Sequence, residues 1–253
     1  MRLKRIIYLI SFFLITTLGF SQETVFEEKT TIYSSELSGG IGIHTNGFMG
    51  TFRFGKYKNA FSKRVLELEI ANIKHPKEIK SIYPFEDNVR GYIYGKLNSV
   101  FALRPSVGFH KIIVPKQSIK GVSITLVTQV GVSLGFAKPV YLNIIEQEST
   151  SNGSITNIIV KRKYDPEKHD QGDIYGRASF LNGFSEIKLY PGLFGKFGFQ
   201  FDFASDRSQM RALEAGIKID GYFQEIPIMA FTENRAIYPN LYIAFFLGSR
   251  KVK

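Results

Sequence analysis

His44, His75 and His169 are the residues of this chain best suited to ligand chemistry, and Asp165, Glu167, Asp170 and Asp173 lie close to His169. Imidazole and carboxylate both bind divalent cations. A set of His44, His75, Asp165, Glu167 and His169 drawn to one rim would form a ligand-binding site. The spacing matches no standard metal motif, and whether such a set holds a metal stays open. The favoured reading is plainer: His44 and His169 hydrogen-bond loop backbone, and the acids are solvated or paired with Lys161 and Arg162. Acyl transfer would instead need a nucleophile, a base and an orienting group within hydrogen-bond reach. Ser38 stands six residues before His44; the GxSxG run at 131–135 falls inside an alternating strand segment rather than at a strand-to-helix turn, and no GxSxG or SxxK stands out as a nucleophile motif. No catalytic residue is assigned, and no cofactor is expected.

These residues must be positioned by an exported chain. Arg2, Lys4 and Arg5 precede an apolar run from Ile6 to Leu18, and Gly19 and Ser21 supply small residues for cleavage after Ser21. That is the pattern of a secretory signal, shorter than the roughly 20 residues of a spanning helix. The expected organisation is a signal at 1–21, a periplasmic lead-in at 22–35 and a β-barrel domain at 36–253. Cleavage takes the formal charge from +11 to +8. The one dense basic block left is Lys161-Arg162-Lys163, so no nucleic-acid partner is expected. The absence of cysteine excludes disulfides, thiolate metal sites and a lipid-modified N-terminal cysteine.

Period-two alternation dominates the mature chain. In 122–136, Val122, Ile124, Leu126, Val130, Val132, Leu134 and Phe136 share one face, opposite Ser123, Thr125, Gln129, Gly131, Ser133 and Gly135. A strand sorts residues this way and a helix does not. The same sorting recurs in 37–44, 48–55, 65–71, 97–110, 187–203, 212–223 and 240–248, making eight strands. Asn46-Gly47 predicts a tight hairpin turn between the first two.

The polar face decides between a soluble and a membrane barrel. It carries Arg53, Glu67, Glu69, Arg104, Lys188, Lys196, Asp202, Glu214, Lys218 and Asp220, nearly balanced in sign and interspersed with glycine. Such a set fits the packed interior of a narrow eight-stranded barrel. We therefore expect a lumen charge network of Arg53, Glu67, Glu69, Arg104, Lys196, Asp202, Glu214, Lys218 and Asp220. The opposite face is rich in phenylalanine and leucine and nearly free of charge, which suits hydrocarbon. Short links at 56–64, 111–120 and 204–211 alternate with long ones at 75–96, 144–185 and 224–239. The predicted fold is an all-β, eight-stranded antiparallel transmembrane β-barrel with long external loops. Residues 176–183 are expected to form a short helix, with Phe180, Leu181 and Phe184 docking over the mouth and Ile226–Phe231 beneath.

The stretches GGIGIHTNG (39–47), KHPKEIKS (74–81), YGKLNSVFALRPSVG (94–108), SLGFAKPVYL (133–142), KYDPEKHDQGDIYGRASFLNGFSEIKLYPGLFGKFG (163–198) and IPIMAF (226–231) give the chain a familiar look. It resembles a family of small exported outer-membrane β-barrel proteins of unassigned function, departing from it at Ser106-Val107 and Ser179-Phe180-Leu181. The resemblance implies a fold and the outer membrane rather than a reaction. The leading expectation is a plugged barrel acting through its external loops as a structural or accessory subunit of an envelope assembly or secretion complex. Its expected partners are outer-membrane lipid and other outer-membrane barrel proteins. A lipid-modifying enzyme using the rim histidines, and a small-solute channel, are the alternatives.

Overall fold

The computed structural model describes residues 33–81, 90–118, 121–149 and 155–252; the expected signal segment lies outside them. Its strands are β1 (Tyr33–His44), β2 (Gly47–Asn59), β3 (Ser62–Ile73), β4 (Lys80–Ser81), β5 (Tyr92–Ile93), β6 (Asn98–Val114) and β7 (Ser123–Pro139). They continue with β8 (Tyr141–Ser149), β9 (Ile155–Lys163), β10 (Ile174–Arg177), β11 (Lys188–Asp202), β12 (Gln209–Ile226) and β13 (Arg235–Val252). Eight of them close into a barrel in the order β1-β13-β12-β11-β7-β6-β3-β2. Every neighbouring pair in the barrel is antiparallel. Closure leaves no sheet edge unpaired, which is what allows strands to cross hydrocarbon.

Alternation fixes the two faces. Most isoleucine, leucine, valine and phenylalanine side chains of the barrel strands point outward, with Ile41 74%, Val130 65% and Leu241 63% exposed. The charged set points inward. This is the sidedness of a transmembrane barrel, because a soluble barrel would bury the apolar face instead. Glycine distribution follows the same division. A Cβ on Gly42 would come within 2.5 Å of the Ile243 carbonyl oxygen, whereas one on outward-facing Gly50 would meet nothing within 4 Å.

Several details depart from the sequence expectations. The hairpin between β1 and β2 turns through Thr45 and Asn46, and Gly47 opens β2 at φ +149°, paired with His44. The barrel starts at Tyr33, inside the expected lead-in. Strands β12 and β13 have 18 residues each, so they run well past a hydrocarbon band about 25 Å tall. The long link after β7 carries structure of its own: β8 pairs with β9 and β10 in a three-stranded sheet. Tyr92, Val140, Leu142, Ile144, Tyr164 and Ile174 form the core beneath this sheet. The helix expected at 176–183 is absent, because β10 occupies its start and only a 3-10 turn, Phe184–Glu186, follows. Lys188 is exposed rather than lumenal, lying at the very start of β11.

Candidate functional site: a sealed lumen and an ordered loop end

Arg53 from β2 anchors the middle of the lumen. Its guanidinium reaches Glu67 Oε2 at 2.6 Å and Glu214 Oε2 at 2.9 Å, and also donates to Gln200 at 3.2 Å. Lys196 pairs closely with Glu67 and lies 3.7 Å from Glu214. Gln129 and the Tyr242 hydroxyl donate to Glu67 and Glu214 at 2.8 and 3.1 Å. Arg104 forms a second node nearer the loop end. It holds Asp220 through Nε at 2.7 Å and Nη2 at 2.9 Å, and Glu69 through Nη1 at 2.5 Å. Lys218 adds a 2.7 Å contact to Glu69, and Ser133 donates to Asp220 at 2.8 Å.

These charges are fully removed from solvent, with Arg53, Glu69, Arg104, Glu214 and Asp220 at 0% exposure. Buried charges persist only when paired and hydrogen-bonded on most sides. Here Arg53, Arg104, Lys196 and Lys218 face Glu67, Glu69, Glu214 and Asp220, so the two signs cancel. Phe246, Met210, Ala212 and Ala244 fill space between the nodes and the terminus end.

A third cluster closes the end at which β1 begins and β13 ends. Glu36 pairs with Lys63, with Arg250 Nε at 2.8 Å and with the Tyr57 hydroxyl at 3.0 Å. Asp202 completes it, holding Arg250 Nη2 at 2.5 Å and Lys116 Nζ at 3.3 Å. Of these, the network expected from sequence includes only Asp202. Glu36, Lys63 and Arg250 continue the lumen-facing parity of β1, β3 and β13 by one or two steps beyond the expected strand ends. Following the alternation further would have found them.

The loop end is closed by apolar packing. Ile226, Ile228, Met229, Tyr222 and Tyr238 pack on Ile73, Val100, Ala102 and Ala137. The β12–β13 link is tied down by backbone: Leu97 N–H donates to Ile228 O at 2.9 Å, and Ala230 N–H to Gly95 O at 2.6 Å. Phe180 and Phe184 do not form the expected lid. Phe180 packs edge-on against outward-facing Phe101, and both rings sit against Lys138 on the outer wall.

The rim residues are held locally. His44 lies inside the loop-end lumen with Nδ1 3.1 Å from Asn240 Oδ1. Ser38 is six residues away along the same extended strand, roughly 20 Å, so the two cannot form a nucleophile–base pair. His75 Nδ1 accepts from the Lys77 backbone N–H, while the His75 backbone N–H donates to Glu78 Oε1. Partial burial, together with Lys77 and Arg235, holds the His75 imidazole below its usual range. Asp165, Glu167 and His169 do come together, as one turn: His169 Nδ1 accepts from Asp165 N–H at 3.1 Å and Asp165 Oδ1 from Glu167 N–H at 3.1 Å. Among the described residues, no three His, Asp or Glu side chains are grouped to hold a metal ion.

An aromatic recess opens at the loop end, lined by Lys77, Tyr94, Gly95, Met229 and Phe231. Phe231 stacks on Tyr94 at 5.9 Å yet remains 70% exposed. Its φ of +58° makes it the one non-glycine residue at positive φ among the described residues.

Fold and side-chain placement together define the class: an eight-stranded transmembrane β-barrel with a filled lumen. No protein-family model matches the chain, and no curated protein matches it. Among solved structures, Ail, the attachment invasion locus protein of Yersinia pestis, aligns at a TM-score of 0.42 and 9% identity, over 87% of this chain and 99% of that one. Neisserial surface protein A (NspA) aligns at 0.41 and 8% identity, over 85% of this chain and 95% of that one. A structure of Ail with the heparin analogue sucrose octasulfate aligns at 0.38 and 8% identity, over 87% of this chain and 99% of that one.

Proposed function

We propose that this chain is a non-conducting outer-membrane barrel that acts through its loop end as a structural or accessory subunit of an envelope assembly or secretion complex. The observation that carries this reading is the closure of the lumen at three levels: the terminus-end cluster, the Arg53 and Arg104 nodes, and the apolar cap. A solute pathway would require all three to open. The long loops would face the exterior, with the start of β1, the end of β13 and the short turns facing the periplasm, reached by way of the cleaved signal. Lipid surrounds the apolar belt, and a second envelope protein contacts the ordered loop sheet and the exposed Phe231–Tyr94 pair. Purified full-length protein in planar bilayers should show no large stable pores, and affinity purification in mild detergent should recover a defined partner. Large, stable single-channel steps would overturn the reading.

A further inference from the structure

We propose that the outer wall formed by β13, β1, β2 and β3 is a binding site for an anionic phospholipid. The proposal rests on the membrane reading above. An apolar groove runs over this wall, lined by Ile41, Phe52, Leu68, Ile70, Phe245 and Leu247. Its floor exists because Gly39 and Gly50 lack side chains. A Cβ on Gly39 would approach only the Thr51 carbonyl oxygen, at 3.8 Å, and one on Gly50 would touch nothing. Elsewhere on this wall the outward positions carry bulky apolar residues, so the two glycines leave a depression that a fatty acyl chain fits.

Charge sets the headgroup. In the register, Lys251 lies opposite Ser35, Ser35 opposite Lys56, and Lys56 opposite Arg64. Lys251, Lys56 and Arg64 thus share one row across four adjacent strands, spanning about 14 Å at the usual strand spacing. All three are exposed on the outer surface. Gly39 stands four residues above Ser35, roughly 13 Å along β1. That is the separation between a phosphate at the membrane surface and the upper part of its chain. No acid opposes the row from the same wall, since Glu36, Glu67 and Glu69, the acids of these four strands, all point into the lumen. Cationic side chains at a bilayer surface favour anionic lipid over zwitterionic lipid.

The test uses the full-length protein in mixed micelles holding equal amounts of phosphatidylglycerol and phosphatidylethanolamine with the same chains, read by native mass spectrometry. The wild type should retain phosphatidylglycerol about tenfold or more over phosphatidylethanolamine. The triple variant K56Q/R64Q/K251Q should lose that preference. Filling the groove with G39L/G50L, which the open space around both positions tolerates, should abolish retention while the barrel still folds. Equal retention of both lipids by the wild type, or a preference that survives the triple variant, overturns the proposal. So does unchanged retention in the groove variant, or a dimer that the groove variant breaks apart. A protein that fails to enter micelles at all refutes the membrane reading and the lipid site with it.

Discussion

Arg53 and Glu214 face each other across the lumen in a two-pronged pair, with Nη1 to Oε2 at 2.9 Å and Nη2 to Oε1 at 3.2 Å. They belong to β2 and β12, which are not neighbours in the barrel. The pair therefore ties opposite walls together, a contact that backbone pairing cannot supply. Removing Glu214 leaves Arg53 with Glu67 alone and the buried lumen with one positive charge in excess. Glu214→Ala should destabilise the barrel by about 3–5 kcal/mol. Replacing both, as R53M/E214L, should recover much of that loss, because the desolvation cost leaves with the charges. Urea unfolding in micelles, analysed as a double-mutant cycle, measures the difference.

The β1–β2 turn makes a sharper steric prediction. At Gly47 the backbone φ is +149°, and an added Cβ would lie 2.5 Å from both Asn72 oxygens. Those oxygens are not free to retreat, because Asn72 Oδ1 accepts from Phe48 N–H at 2.7 Å. Gly47→Ala should cost roughly 1–3 kcal/mol. Gly50→Ala, on the open outer wall, should instead be neutral or stabilising by about 0.4–1 kcal/mol through loss of unfolded-state freedom. Thermal unfolding of the two variants side by side separates these signs.

The contrast between these glycines also shows what was legible in the sequence. Alternation reports which wall a residue faces, so the eight strands and the inward set from Arg53 to Asp220 could be read directly. It does not report which strands meet across the lumen: the partnership of Arg53 with Glu214, or Arg104 with Asp220, depends on barrel closure. It also fails outside the membrane. Ile155–Lys163 has no fully buried residue, so β9 shows no apolar face to reveal it. The Phe180–Phe184 segment misled for a related reason. Its aromatic residues suggested a lid, but Lys138 and Phe101 on the outer wall offer them cation–π and edge-to-face contacts instead.

The loop sheet should respond to acid. Glu186 accepts hydrogen bonds from Lys163 and from the Tyr141 hydroxyl, joining the 3-10 turn to the end of β9 and the start of β8. The Lys163 bond, then the Tyr141 bond, holds the Glu186 carboxyl below its ordinary value of 4.5. A lowered carboxylate value means that the stabilisation is fully present above about 4.5 and is lost as pH falls through the lower folded-state value. Limited proteolysis of the β8–β9 hairpin should therefore accelerate below about pH 4, while the barrel core stays resistant. Glu186→Gln should show the faster cleavage already at neutral pH and a smaller acid response, the remainder belonging to Glu146, which Arg162 holds low across β8 and β9; general acid unfolding would not produce that combination.

The two seals at the loop end should be separable. Asn234 fastens the apolar cap: its Oδ1 accepts from Ile228 N–H at 2.8 Å and Met229 N–H at 3.2 Å, and its amide donates to Met229 O at 3.2 Å. Together with the backbone bonds from Leu97 to Ile228 and from Ala230 to Gly95, this side chain holds the link in the conformation that carries Phe231 at φ +58°. Asn234→Ala leaves two backbone donors without their partner and should loosen the cap by about 1–3 kcal/mol. Hydrogen exchange should rise at Ile228 and Met229, and exposed Phe231 should lose its fixed stacking on Tyr94. Conductance should not change, because the Arg104 node with Glu69, Lys218 and Asp220 lies beneath the cap and stays intact. Pores should stay absent even in N234A combined with E69A/D220A, because the Arg53 node and the Glu36–Arg250 cluster still close the lumen; pores in N234A alone would mean that the ion-pair network does not close the lumen.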